Sequence, residues 1–172
     1  MAKKTGRGRL KAMDGQFEIE LTINGREVKW RVGASESLMS ALRRQGFKSV
    51  KNGCDNGDCG SCTVLLDGKP AASCMLFAAQ AHGRTLTTVE GLGTPNAPHT
   101  IQRAYAESGG VQCGFCTPGM VLVTKALLAE NPQPDEAQVR RALDGNLCRC
   151  TGYVKQVQAV LDAAERLRRE KK

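Results

Sequence analysis

The sequence predicts an α+β chain in two parts, a sheet-forming first half and a helical second half. Three observations carry this. Apolar and polar residues alternate along residues 17–32, the pattern of half-buried strands. Beyond residue 99 the strand signals stop and helical spacing takes over. Each half contains its own set of closely spaced cysteines.

In the first half, Phe17, Ile19, Leu21 and Ile23 alternate with Glu18, Glu20 and Thr22. Asn24-Gly25 then favours a type I′ hairpin turn, and Val28, Trp30 and Val32 form the return strand. Ser35 is the expected N-cap of a helix whose apolar face is Leu38, Met39 and Leu42, with Gly46 ending it. Residues 53–62 fit no regular element, because glycine and turn formers fill nearly every gap between the cysteines. Thr63, Val64, Leu65 and Leu66 read as a buried strand, and Asp67-Gly68 as a turn returning through Pro70 to Ser73. Residues 84–89 are the expected last strand, with Leu86 and Val89 apolar. A meander with one helix across it is the β-grasp arrangement of small ferredoxins, so residues 15–90 are assigned to such a domain.

Gly91, Gly93, Pro95 and Pro98 mark residues 91–98 as a linker. A short helix over residues 100–108 closes at Gly109-Gly110. Thr117 is the expected cap of the next, with Pro118 first in the helix and Val121, Leu122, Lys125, Leu128 and Ala129 running on to Asn131-Pro132. Asp135 and Gln138 make a capping box, Val139, Ala142 and Leu143 supply that helix's apolar face, and Gly145 is its expected C-cap. Val154, Val157, Val160, Leu161, Ala164 and Leu167 stripe a final helix. Residues 99–167 thus read as a small four-helix bundle.

The chain of 172 residues is 41% hydrophobic but only 4% aromatic, so its cores must rely on Leu, Val, Ala and Met. The net charge of +8 belongs to the ends, residues 1–14 and 168–172 with the adjoining Arg166; the body between is close to neutral. These ends are expected to be solvated tails. Without interleaved aromatics they argue against nucleic acid. No apolar run reaches transmembrane length, and the N-terminus does not read as an export signal. A reducing cytoplasmic setting is expected, which argues against pairing the eight cysteines as disulfides.

Cys54-x4-Cys59-x2-Cys62 has the spacing of the plant-type [2Fe–2S] loop, and Cys74 is the expected fourth ligand. Cys113-x2-Cys116 and Cys148-x-Cys150 read as the four ligands of a second cluster. The second set lies where helices begin, and helix N-termini favour an anionic centre. A four-thiolate zinc is anionic too, so this electrostatic argument does not separate the two metals.

The segments 54–64, 112–120 and 145–153 together resemble the small iron–sulfur subunit of the molybdenum hydroxylases, the group of xanthine dehydrogenase, aldehyde oxidoreductase and carbon monoxide dehydrogenase. The resemblance spans roughly residues 17–167. It implies one [2Fe–2S] cluster on Cys54, Cys59, Cys62 and Cys74 and another on Cys113, Cys116, Cys148 and Cys150. It further implies that Gln112 hydrogen-bonds the pterin of the molybdenum cofactor and that Cys150 lies beside it. The implied partners are a large molybdenum-cofactor subunit and a medium FAD subunit, in a possible dimer of heterotrimers. Electrons would pass singly from molybdenum through both clusters to the flavin.

No catalytic acid, base or nucleophile is evident. Surface or capping roles suit His82 and His99, packing suits Tyr105 and Tyr153, and Met39, Met75 and Met120 read as core filler. The rival reading is a free-standing iron–sulfur redox sensor or interaction protein whose basic tails bind nucleic acid.

Overall fold

The structure is a computed structural model that describes residues 10–13 and 15–170. Most of the basic N-terminal run, residues 1–9, and Lys171 and Lys172 lie outside the described residues. The strands among the described residues are β1 (Lys11–Met13), β2 (Gln16–Ile23), β3 (Arg26–Gly33), β4 (Thr63–Leu66), β5 (Lys69–Ala72) and β6 (Thr85–Thr87). The α-helices are α1 (Leu38–Arg44), α2 (Thr100–Glu107), α3 (Thr117–Glu130), α4 (Glu136–Leu143) and α5 (Val154–Glu170). Among the described residues no helix is long and apolar enough to cross a membrane.

One mixed sheet holds the first half. It runs β1-β2-β6-β4-β5, with β3 also on β2. The β2–β3 hairpin pairs Ile19 with Trp30 and Ile23 with Arg26, and both turn residues, Asn24 (φ 50) and Gly25 (φ 79), are left-handed as a type I′ turn requires. The alternation buries Ile19, Leu21 and Ile23 with Trp30 and Val32 beneath α1, whose Leu38 and Leu42 are also buried. The parallel pairing Thr22↔Thr85 brings β6 beside β2. All four residues of β4 are buried because its two faces serve different cores. Val64 and Leu66 join the sheet-and-α1 core, while Leu65 packs on Leu122 and Ala126 of α3.

The second half has its own core, which includes Ile101, Tyr105, Met120, Val139, Leu143 and Val160. The Asp135–Gln138 capping box forms as expected, with the Asp135 Oδ1 accepting from Gln138 N at 2.7 Å. His99 caps α2, its Nδ1 accepting from Ile101 N at 3.2 Å.

Several expectations are corrected. Ser37 rather than Ser35 caps α1, its hydroxyl accepting from Ser40 N, while Glu36 turns back to accept from Gly33 N. Helix α3 begins at Thr117 itself, with Cys116 as its cap and Pro118 second. Helix α4 is capped at its C-terminus by Asp144, one residue before Gly145. The last strand stops at Thr87, and Val89 enters a 3-10 turn. The N-terminal extension is not all tail, since Lys11–Met13 pairs with β2 through Lys11↔Glu18. Nor is Arg168 a tail residue, because α5 continues to Glu170, which accepts from Thr100 Oγ1 at 2.7 Å. Val154 is 64% exposed because it sits on the outer side of the first turn of α5. Met75 is 61% exposed and lies over Gly57 instead of in the core.

The halves meet around Gly60, Gly119 and Asn146. The buried Asn146 amide donates to Gly60 O at 2.9 Å. A Cβ on Gly119 would lie 2.5 Å from Gly60 O and 2.6 Å from Asn146 Nδ2. Alanine is intrinsically the better helix former by about 1 kcal/mol, yet Gly119→Ala is expected to lower the denaturation midpoint through this clash. Gly145→Ala, which meets nothing within 4 Å, is the tolerated control.

Candidate metal centres

The first thiol set sits on the loop between α1 and β4 and on the turn after β5. Cys54, Cys59 and Cys74 are partly buried and Cys62 is buried. Side-chain contacts link Cys54 with Cys59 and Cys62 with Cys74, and Cys74 also feels the Cys54 sulfur. Backbone N–H groups turn onto sulfur as a wrapped loop requires, Cys59 N donating to Cys54 Sγ at 3.3 Å. The N–H groups of Asn56 and Cys59 draw the Cys54 thiol down to about 7. Desolvation, reinforced by the Cys62 sulfur, pushes Cys74 up to about 11. Ser73 ties the turn to the loop, its hydroxyl donating to Cys62 O at 2.6 Å. Gly53 is needed for close approach, because a Cβ there would stand 2.8 Å from Cys59 Sγ.

The second set spans the approach to α3 and the segment between α4 and α5. It too is arranged in pairs. Cys113 and Cys150 lie at 3.5 Å and are exposed, whereas the buried Cys116 interacts with the partly buried Cys148. Burial, together with the Cys148 sulfur, pushes Cys116 up to about 12. Burial also opposes ionisation of Cys148. That effect is outweighed by hydrogen bonds to the sulfur, among them from the N–H groups of Cys150 and Thr151, which bring this thiol to about 7. The segment is shaped by Tyr153, which holds a left-handed φ of 69 and whose hydroxyl accepts from Cys148 N at 2.8 Å. A bulky residue in that region is strained unless its surroundings hold it there.

Among the described residues, no three His, Cys, Asp or Glu side chains gather as they would around one metal ion. Two thiols on each of two irons is instead the [2Fe–2S] pattern, and both sets pair two and two, with N–H donors on sulfur. The residues present therefore fit such a cluster at each position.

The two sites touch through backbone. Leu147, next to Cys148, donates its N–H to Cys59 O at 2.9 Å. Gln112 is exposed, on the same exposed stretch as Cys113.

Sequence reasoning missed three contributors. Tyr153 carries a hydrogen bond to a thiol-bearing backbone as well as packing. Gln156 and Thr151 both reach Cys148 Sγ, at 3.3 and 3.1 Å. Thr151 and Tyr153 fall within the segment 145–153 that carried the resemblance, while a Gln in a helix's first turn carries no distinctive signal.

Residues 21–87 match the family described as "2Fe-2S iron-sulfur cluster binding domain", and residues 88–161 that described as "[2Fe-2S] binding domain". The chain is 44% identical to the nicotinate dehydrogenase small FeS subunit of Eubacterium barkeri, over 88% of this chain and 97% of the relative. It is 47% identical to the xanthine dehydrogenase iron-sulfur-binding subunit of Escherichia coli O157:H7, over 84% and 92% respectively. Among solved structures it is similar to the aldehyde oxidoreductase of Desulfovibrio desulfuricans ATCC 27774, with a TM-score of 0.86 and 43% identity over 89% of this chain and 17% of that one.

The thiol environments predict unequal reactivity in the metal-free chain. Because the thiolate is the nucleophile, Cys54, Cys148 and the exposed Cys113, all held below the usual thiol value, should be alkylated fastest near neutral pH, the rates of the first two rising through pH 7. Cys74 and Cys116 should lag until strongly alkaline pH. Peptide mapping after timed iodoacetamide treatment measures this.

Proposed function

Because this chain belongs to the iron–sulfur subunits of the molybdenum hydroxylases, we propose that its eight thiols hold its two [2Fe–2S] clusters in the two sets just described. Cys54, Cys59, Cys62 and Cys74 hold one cluster within a β-grasp domain at residues 15–90. Cys113, Cys116, Cys148 and Cys150 hold the other, within a four-helix domain at residues 99–167. The chain is the electron-transfer subunit of an oxidoreductase, working with partner polypeptides in the cytoplasm. We assign those partners as a molybdenum-cofactor subunit, where substrate is oxidised, and an FAD subunit that collects the electrons. Each cluster, when bound, accepts one electron at a time.

The observation that carries this reading is the paired arrangement of both thiol sets, joined by the Leu147 N to Cys59 O hydrogen bond. Cys59 and Cys148 thereby lie on either side of a single backbone contact, a compact route for one electron. The exposed Cys113–Cys150 pair, with Gln112 beside it, supports a pterin contact at that edge. The first set then faces the flavin.

The chain purified with its partners is expected to contain about four irons and four sulfides and to show two distinct paramagnetic resonance signals after dithionite reduction. Cys59→Ser should remove one signal and Cys116→Ser the other, each with loss of about two irons. Zinc in place of iron, or one signal abolished by both substitutions, would refute the assignment.

A further inference from the structure

Gln156 has no solvent exposure, although it lies in the first turn of α5 beside exposed Lys155. A buried amide needs partners for both of its ends. Its Oε1 accepts the Thr151 hydroxyl at 2.6 Å, and its Nε2 donates to Cys148 Sγ at 3.3 Å. The hydroxyl orients the amide, since a hydrogen bond to Oε1 leaves Nε2 as the end that meets sulfur. Thr151 is itself held, its Oγ1 accepting from Tyr153 N at 3.3 Å and lying 3.1 Å from the same sulfur. Together Gln156, Thr151 and Tyr153 form a small polar network fixed on one thiol.

We propose that Gln156 is a positioning residue that raises the reduction potential of the cluster at the helical site by donating its amide N–H to the Cys148 sulfur. This deepens the functional reading above and rests on Cys148 being a ligand of that cluster. Hydrogen bonds to sulfur are among the terms that set such potentials. The sign follows from charge. An oxidised cluster with four thiolates carries about −2 and gains one further negative charge when it takes up an electron. A donor aimed at sulfur stabilises the more negative form more strongly, so it favours reduction. Gln156 donates to a sulfur of this site, so its effect falls on that cluster and not on the other.

The test is a redox titration of the full chain with its co-purifying partners, followed by paramagnetic resonance, with dithionite as reductant. Gln156→Met keeps the length of the side chain and removes the donor. It is expected to shift the one-electron reduction equilibrium of one signal about tenfold towards the oxidised form, about 59 mV lower. The second signal and the iron content should not change. Gln158→Met, the same change at an exposed position of α5, should retain the wild-type potentials. Both signals present with unmoved midpoints in Gln156→Met would overturn the proposal. So would loss of iron with unmoved midpoints in what remains, since that assigns Gln156 a structural role alone. Absence of two signals in the wild-type protein would instead refute the functional reading on which the proposal stands.

Discussion

The contact between the loop at Gly60 and the segment at Asn146 is the constraint on which the rest of the structure depends. Each half of the chain buries its own core, so nothing in either core sets the distance between the thiol sets. That distance is set where the two segments meet. Leu147 N donates to Cys59 O and the Asn146 side-chain amide donates to Gly60 O, while Asn146 N, donating to Leu143 O at 2.9 Å, ties its segment back to α4. Gly60 holds a φ of +68, and a Cβ on it would lie 2.6 Å from Asn146 Nδ2, so both its conformation and its lack of a side chain are used. The apolar seam of Leu65, Leu122 and Ala126 supplies the burial that keeps the halves pressed together. Directional bonds fix the register, and the seam supplies non-directional affinity. Electron transfer needs both, because it is sensitive to separation and the separation has to persist.

Much of this was readable in advance. The alternation on either side of Asn24-Gly25 gave strands and turn together, because a type I′ turn and a period of two both have strong local causes. The Asp135–Gln138 box was legible for the same reason. The spacing grouped the cysteines into two sets, and within the second the Cys113 and Cys150 sulfurs lie 3.5 Å apart. What escaped was decided by tertiary context. Strand β1 is only three residues long and pairs because the edge of β2 is available to it. Met75 and Val154 follow the apolar pattern yet are exposed, because pattern gives a face and not what covers it. Tyr153 and Gln156 act through partners that a helical backbone and a tight segment bring to them. Composition offers no trace of such contacts.

The two sites also differ in how they are closed. In the first set no thiol is fully exposed, and Ser73, Gly53 and the N–H groups of residues 56 and 59 enclose the loop. In the second, Cys116 and Cys148 face inward while Cys113 and Cys150 lie on the surface. The buried edge is the one served by the Thr151, Gln156 and Tyr153 network. An anionic centre needs donors where water cannot reach and tolerates solvent where it can. The placement of polar side chains follows that requirement, with the side-chain network on the enclosed edge.

The exposed edge then has its own consequence. Val111, two residues before the exposed Cys113, is itself 37% exposed. Apolar groups beside a charged centre gain by burial while the charge itself loses hydration. A surface that covers this edge must therefore bring hydrogen-bond donors for the sulfurs along with apolar contact for the rim. A purely apolar partner would strand the charge, and a purely polar one would leave the rim wet.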